Sequence, residues 1–309
     1  MTILGSEVKR AYWSAETSYG VTTTAALKAL GDVFDVSGNI NPNPEEDSIE
    51  NRAYSKVGFG VNEASFSLKA KVWLRSGTTF VPENFWALYP LGETTGRATD
   101  GRLDSFSFVT KKTSGGVDYY ALWNGCMVDS LTISAPGVGK AIIYELGCKA
   151  QYCTRSTTKA FTGIQTITVG ADPTLPTTDY DRWTGTLPTI DYGSGAADIA
   201  GVIDWSMSIK NGLSAEWYKK STTYYVAEAH DEGGFECDVE INRWHRDETH
   251  LAQMLARVTT GITLTLPING KTWTLSGGYM PGGAMPDQKS GKDPLKETIK
   301  LKFNAIAIA

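Results

Sequence analysis

A fourteen-residue segment that occurs twice constrains the fold more than any other feature of this chain. Residues 83–96 read ENFWALYPLGETTG and residues 248–261 read ETHLAQMLARVTTG, so five of the fourteen positions are identical at a spacing of 165 residues. Both copies end in Thr-Thr-Gly, and a glycine just past the last turn is typical of a helix end. The repeat therefore predicts two short helices at equivalent places of two similar units.

The flanks of both helices also correspond. FDVSGNINP (34–42) aligns with IDWSMSIKN (203–211) at an offset of 169, and a second alternating segment follows at 65–73 and at 235–244. Alternation of apolar and polar residues predicts strands with one buried face. We therefore predict a mainly β fold that is internally duplicated, with the order strand, long loop, strand, helix and about three further strands in each copy. The alternative is two unrelated β domains with an accidental match.

The length of 309 residues fits two domains, since one domain usually takes about 100–200 residues. We predict a first domain at 1–152 and a second at 201–309. Residues 153–200 are rich in Pro, Thr and Gly, which is typical of a connector, and FTGIQTITV (161–169) is predicted to be an extra strand that opens the second half.

Composition and motifs favour a protein without catalysis. A net charge of −5 argues against a protein that grips nucleic acid, although not against one that DNA slides past. His245 and His250 are five residues apart with a predicted helix cap between them, whereas zinc proteases place two histidines four apart on one helical face. GVGKA lacks the outer Gly and the final Ser or Thr of a phosphate loop. We predict no catalytic residue, no metal and no cofactor, and no segment approaches the roughly 18 apolar residues of a membrane helix.

Exposed-looking aromatic residues in the two long loops predict protein–protein contact. A small open β unit has two sheet edges that invite pairing, and a ring of such units removes these edges. The loops span residues 41–61 and 210–235. Their aromatic residues, our candidates for contacts between stacked rings, are Tyr54, Trp217, Tyr218, Tyr224 and Tyr225. The alternative is that each loop folds back on its own domain.

The order of elements resembles the two-domain tail tube proteins of long-tailed, siphovirus-like phages and related archaeal viruses. SAETSYGVTTTAA near the N-terminus, YALWNGCMVDSLTI and DWSMSIKNGL carry the resemblance, which covers nearly the whole chain. It implies that each half is a β-sandwich or barrel-like tube domain with a short flanking helix. It also implies a structural virion protein whose homotrimeric, pseudo-hexameric rings stack into a tail tube through which viral DNA passes.

The same resemblance implies partners and a channel wall. The partners would be other copies of the chain, a tape-measure protein and tail-end proteins, with assembly in the host cytoplasm and no membrane. If alternating strands line the bore, the channel-facing residues are Ser67, Lys69 and Lys71 in the first half and Glu236, Asp238 and Glu240 in the second. A mixed or acidic wall suits transit because firmly held phosphates would slow the DNA. Alternatively, these faces point outward into solvent.

A carbohydrate-binding or adhesin-type β-sandwich is the alternative function. In that case the nine Trp and fourteen Tyr residues would stack on sugars, and the chain would be a discrete monomer that binds a glycan.

Overall fold

Strands account for most of the chain that the computed structural model describes. These residues are 8–16, 19–21, 27–30, 33–41, 45–47, 56–58, 63–72, 103–161, 182–183, 186–214, 217–220, 223–226, 233–256, 261–268, 271–284 and 295–308. In these ranges the first half contains β1 Val8–Ala15, β2 Lys28–Ala29, β3 Val33–Asn41, β4 Glu45–Asp47, β5 Lys56–Gly58, β6 Glu63–Lys71, β7 Phe106–Ser114, β8 Val117–Ala135, β9 Ile143–Ala150 and β10 Tyr152–Ser156. The second half contains β11 Thr189–Asp191, β12 Ala196–Asp198, β13 Val202–Lys210, β14 Trp217–Lys220, β15 Thr223–Val226, β16 Glu236–Trp244, α1 Thr249–Leu255, β17 Ile262–Ile268, β18 Lys271–Ala284, β19 Lys296–Phe303 and β20 Ala305–Ile308. The prediction of a mainly β fold is confirmed.

The four strands predicted from alternation are present. Those at 34–42 and 203–211 are β3 and β13. Those at 65–73 and 235–244 are β6 and β16.

The helix predicted within 248–261 is the shorter α1. Asp247 Oδ1 accepts a hydrogen bond from the Thr249 N–H at 3.0 Å, as expected of a residue that caps a helix start. The other predicted helix, at 83–96, lies outside the described residues, as does nearly all of the strand predicted at 161–169.

Eight strands form one continuous antiparallel sheet, which we call the long sheet. Its order is β3-β6-β9-β8-β13-β16-β19-β18. Because side chains alternate along each strand, one face is apolar and buried and the other is polar. In β16, for example, Val239 and Ile241 are buried, whereas Asp238 and Glu240 are partly exposed.

Two smaller sheets belong to the same network of strands and supply most of the remaining core. The first cover sheet is β2-β1-β7-β8-β10 and the second is β12-β11-β17-β18-β20. Phe66 of the long sheet stacks on Phe108 of the first cover sheet with ring centroids 4.4 Å apart, so the two layers form a sandwich. Buried residues from both halves belong to one continuous hydrophobic core.

The two longest strands cross from a cover sheet into the long sheet, and glycines permit the crossing. Gly125 of β8 has φ of +60° and Gly277 of β18 has φ of +65°, a conformation that other residues rarely adopt. A Cβ on Gly125 would lie 2.8 Å from the Cβ of Gln151. Both glycines sit at a register shift, which is where a strand bends most readily.

The two halves match in strand pairing. Each of the eight pairs within the first half has a counterpart in the second, in which both strand numbers are higher by ten. Residues 153–200, predicted to be a connector, contribute β11 and β12, which pair with each other and with β17, and most of β10, which pairs with β8.

Register shifts in the ladders identify equivalent residues in the two halves. The β3–β6 ladder shifts between Val33 and Asp35, and the β13–β16 ladder shifts 169 residues later, between Val202 and Asp204. This is the offset of the sequence alignment. The same comparison gives the other offsets between equivalent residues. The β7–β8 and β17–β18 ladders place residues of β17 156 positions after those of β7, and residues of β18 152 positions after those of β8. The ladders of β10 and β20 place residues of β20 153 positions after those of β10.

Candidate assembly surfaces

The long sheet presents a polar face that no cover sheet occupies. The structure places all six predicted channel residues on it, at alternate positions of β6 and β16: Ser67, Lys69, Lys71, Glu236, Asp238 and Glu240. Their neighbours in sequence, such as Leu68 and Val239, are buried in the core. The two predicted sets therefore share one surface.

Lysines on this face are paired with carboxylates on neighbouring strands. The ion pairs are Lys69–Glu145 at 3.3 Å, Lys302–Asp238 at 3.2 Å, Lys300–Glu240 at 3.5 Å and Lys149–Asp129 at 3.9 Å. The hydrogen bond with Asp238 raises the pKa of Lys302. Such exposed pairs contribute little to stability because water and salt screen the attraction. Each carboxylate nevertheless places a negative charge beside a lysine, which reduces the positive potential that a phosphate would meet at this face.

One ladder, between β8 and β13, joins the two halves, and no other pair of described strands corresponds to it. It runs from the pair Trp205–Ala135 to the pair Lys210–Ser130. Asn211 extends it: its N–H donates to the Asp129 carbonyl at 2.8 Å, and its Nδ2 donates to the Val128 carbonyl at 2.9 Å. This junction is the only place in the described part of the chain where strands of the two halves pair.

In the part of the chain that the structure describes, each end of the long sheet is an open edge. Among the described residues, β3 pairs only with β6, and residues 279–284 of β18 pair only with β19. These are the strands equivalent to β13 and β8, which form the junction between the halves. Unpaired N–H and C=O groups along such an edge invite another strand.

Two hairpins lie outside the main sheet. β4 pairs with β5, and β14 pairs with β15. Four of the five predicted loop contacts fall in the second hairpin, with Trp217 and Tyr218 in β14 and Tyr224 and Tyr225 in β15. The fifth, Tyr54, lies outside the described residues. The structure thus brings four of the aromatic residues together in one hairpin.

A buried polar network fixes the start of α1 to β16 and β19. The Arg243 side chain is 1% exposed and contacts Glu297 through Nε and Asp247 through Nη2, the latter at 3.4 Å. Glu297 also accepts from His245 at 2.8 Å, and this hydrogen bond raises the pKa of His245. A buried arginine requires such partners because an unpaired charge in the core is strongly destabilising.

Tyr192 extends this network to the helix through a hydrogen bond between its OH and His250 Nδ1. Burial, with the nearby Arg243, lowers the pKa of His250 to about 4, so the imidazole is neutral near pH 7. The alternation of β16 gave a signal for the network: position 243 is in the apolar phase of its strand but carries arginine, and Glu297 breaks the apolar phase of β19 in the same way.

The cysteines do not form a reactive site. Cys126, Cys148 and Cys237 are buried and Cys153 is half-buried, all as free thiols. Burial raises the pKa of Cys153 to about 11 and that of Cys237 to about 12, which disfavours the thiolate.

In the described ranges, no group of three or more His, Cys, Asp or Glu side chains is placed to hold a metal ion. None of the helices in that part of the chain is long and apolar enough to cross a membrane.

Comparison with known proteins gives a family and two distant likenesses. A family model described as phage tail tube protein matches residues 8–305. No curated protein matches the chain. A chain of the anti-feeding prophage baseplate is similar at 18% identity over 40% of this chain and 91% of that one, with a TM-score of 0.28. A chain of the cap that terminates the anti-feeding prophage tube is similar at 11% identity over 48% of this chain and 99% of that one, with a TM-score of 0.29. Neither score is high enough to establish a shared fold.

Proposed function

The chain belongs to the phage tail tube protein family, and on this premise we propose that three copies close into a ring and that such rings stack into the tube. Membership makes the chain a structural protein of the virion tail. It favours a role without catalysis, and it favours this function over the carbohydrate-binding alternative.

The β8–β13 junction is the observation that carries the proposal. It is a pairing between the two halves of one chain, and the equivalent strands at the two ends of the long sheet are both open. The residues equivalent to the junction follow from the offsets, 169 between β3 and β13 and 152 between β8 and β18. The equivalent ladder pairs β3 of one copy with β18 of the next, with the residue pairs Asn39–Ala284, Ile40–Gly283 and Asn41–Gly282. The same kind of ladder would then close the ring.

Three copies of the eight-strand long sheet give a barrel of 24 strands. At a strand spacing of about 4.8 Å the backbone diameter is about 37 Å, and tilted strands widen it further. Because the cover sheets lie on the apolar face, the polar face is left to line the bore. Ser67, Lys69 and Lys71, together with Glu236, Asp238 and Glu240, are the proposed channel residues.

The charge pattern of the polar face fits passage of DNA. Lys69, Lys300 and Lys302 are each held by a carboxylate of the next strand. A duplex that slides past such a wall exchanges few counterions and is not gripped.

We also propose that the halves arose by duplication, with modules at 1–152 and 201–309 and a connector at 153–200. The matched strand pairs and register shifts support duplication. Because β10 pairs with β8 of the first module and β11 pairs with β17 of the second, the two ends of the connector belong to the modules. The part between β10 and β11 is left as the link.

The remaining contacts belong to the same proposal. Tyr54 and the aromatic residues of the β14–β15 hairpin are candidates for contact with the next ring. A tape-measure protein and tail-end proteins are the expected partners, in a tail of the long siphovirus-like or archaeal-virus type that is assembled in the host cytoplasm.

Electron microscopy and mass measurement of the purified chain test the proposal. We expect rings or tubes whose smallest closed unit has three times the 33.5 kDa mass of the chain. Monomers that stay dispersed over a range of salt and protein concentrations would refute it, and closed rings with another copy number would refute the trimer.

A further inference from the structure

A cleft of about 690 Å³ opens in the first half between β3 and the first cover sheet. Trp123 and Tyr119 contribute aromatic surface, and Gly38 contributes the β3 side. A Cβ on Gly38 would lie 2.3 Å from the Trp123 ring, so glycine is needed at this position for the indole to lie where it does. The cleft has the size of an ordinary binding site in a protein.

The same place in the second half is filled with core side chains. By the register offsets, the lining positions and their counterparts are Val36/Trp205, Gly38/Met207, Thr110/Leu266, Lys112/Ile268, Ala121/Trp273 and Arg155/Ile308. Trp205, Met207 and Trp273 are at most 2% exposed. The cleft is therefore not imposed by the fold. At these six positions the first half has smaller or cationic residues where the second has larger apolar ones, whereas the lining residues Tyr119 and Trp123 correspond to Lys271 and Leu275.

The cleft is strongly cationic although the whole chain has a net charge of −5. Its lining includes Arg10, Lys111, Lys112 and Arg155. Lys111 is paired with Asp118 at 3.0 Å, and no carboxylate is among the described residues that line the cleft. Cations gathered in a cleft focus a positive potential that favours an anionic occupant.

An acidic segment of the chain complements this cleft. The β4 strand reads Glu45-Glu46-Asp47 and belongs to a hairpin that pairs only with itself in the described part of the chain. The equivalent hairpin, β14–β15, has no acidic residue in its two strands and carries Lys219 and Lys220. The acidic hairpin and the cationic cleft thus both occur in the first half, and the corresponding positions of the second half have neither charge pattern.

We propose that the cleft of one copy binds the acidic β4–β5 hairpin of a second copy. β3 carries the chain from Gly38 towards Asn41 and so away from the cleft before the hairpin begins, which favours a hairpin from another copy over the chain's own. The inference rests on the proposed function, because it assigns one contact between copies of the assembled tube. It also explains why the two halves differ at this point.

Zero-length carbodiimide cross-linking of assembled protein tests the contact directly. Unlabelled and ¹⁵N-labelled chains are mixed in equal amounts before assembly, so that a link between copies appears with mixed isotopes. We expect mixed-isotope links between Lys112 and the Glu45–Asp47 segment. Links that join only peptides of the same label would show that the chain's own hairpin occupies the cleft, which would overturn the proposal.

A charge swap supplies a second test. Lys112→Glu with Arg155→Glu, or Glu45→Lys with Glu46→Lys, is expected to lower the yield of the mixed-isotope link at least tenfold, and the four substitutions together to restore much of it. Lys140→Glu with Lys159→Glu, the same charge change on exposed lysines outside the cleft lining, serves as the control and should have no effect. Circular dichroism checks that each variant folds, and Lys112→Gln with Arg155→Gln replaces a variant that does not.

The outcomes separate this contact from the proposed function. Wild-type tubes without the link, or a swap that restores nothing, would overturn the contact and leave the tube proposal standing. Wild-type protein that forms neither rings nor tubes would overturn the proposed function first, and this contact with it.

Discussion

Replacement of Ile40 by proline tests the proposed ring junction at a single backbone amide. In the junction within the chain, the Asn211 N–H donates to Asp129 at 2.8 Å. Amides alternate between the two neighbours of an antiparallel strand, so the Ile209 amide, two residues earlier, also faces β8. Ile40 is the counterpart of Ile209 by the 169-residue offset, and its amide therefore faces the open edge of β3 and not β6.

The expected effect can be worked out from this geometry. Proline at an edge position removes a donor that β6 does not use, and edge strands tolerate proline. Each junction between copies loses one hydrogen bond and leaves a carbonyl of β18 without a partner, which costs about 1–3 kcal/mol. This weakens association by roughly 5- to 150-fold at each junction, and a closed trimer contains three junctions.

The concentration at which closed rings appear, measured by mass photometry or analytical ultracentrifugation, reports the effect. Ile40→Val keeps the amide and controls for the change in side-chain volume. We expect Ile40→Pro to remain folded, as judged by circular dichroism, but to form rings only at much higher concentration. If it forms rings at the same concentration as Ile40→Val, the β3 edge is not the junction and the ring geometry is wrong.

Three further predictions concern stability, each measured by urea unfolding. Gly125→Ala should lower the free energy of unfolding by about 2–4 kcal/mol, because this residue has a positive φ and its new Cβ would contact Gln151 and Tyr19. Gly116→Ala, which is also at positive φ but has no atom close to the new Cβ, should cost about 1 kcal/mol. Equal losses in the two variants would contradict the reasoning. Arg243→Met should cost about 3–5 kcal/mol, because the buried Glu297 loses its ion pair with arginine and keeps only the hydrogen bond from His245 that the structure shows. Arg243→Met with Glu297→Met should recover most of this loss. A double variant no more stable than the single one would count against the ion pair as the cause. The pKa of His250 is lowered to about 4 in the folded state, whereas the unfolded chain binds this proton near pH 6.5. The free energy of unfolding should therefore be greatest above about pH 6.5 and fall by about 2–3 kcal/mol towards pH 4. His250→Gln should lose that part of the pH dependence. If the free energy of unfolding of this variant falls with pH as steeply as that of the wild type, His250 is not the group responsible.

Strand positions could be read from the sequence because they depend on local pattern. The alternation of FDVSGNINP and IDWSMSIKN predicted β3 and β13 to within a residue at each end, and the alignment offset of 169 is the offset of the register shifts. The channel candidates also followed from alternation, since residues two apart in a strand share a face. Whether that face lines a bore is a matter of assembly, and it stays a prediction.

The buried network at α1 was not predicted because its members are far apart in the sequence. Alternation marked position 243 as buried, but arginine in that phase reads as an irregularity until its partner is known. Glu297 lies 54 residues further on, and only the β16–β19 ladder brings the two side chains together. Contacts of this kind are set by pairing between distant segments, which leaves no pattern in either segment alone.

By itself, the sequence determined that this chain is built of strands and which residues of the described strands avoid water, because side-chain alternation and turn chemistry are local properties. The tertiary structure alone decided which strands pair, and so it revealed the β8–β13 junction, the two open edges that match it, and the cationic cleft that the second half fills with tryptophan and methionine. Ladder formation and core packing join residues that are far apart in the chain, and their free energy depends on neighbours that only the folded molecule supplies.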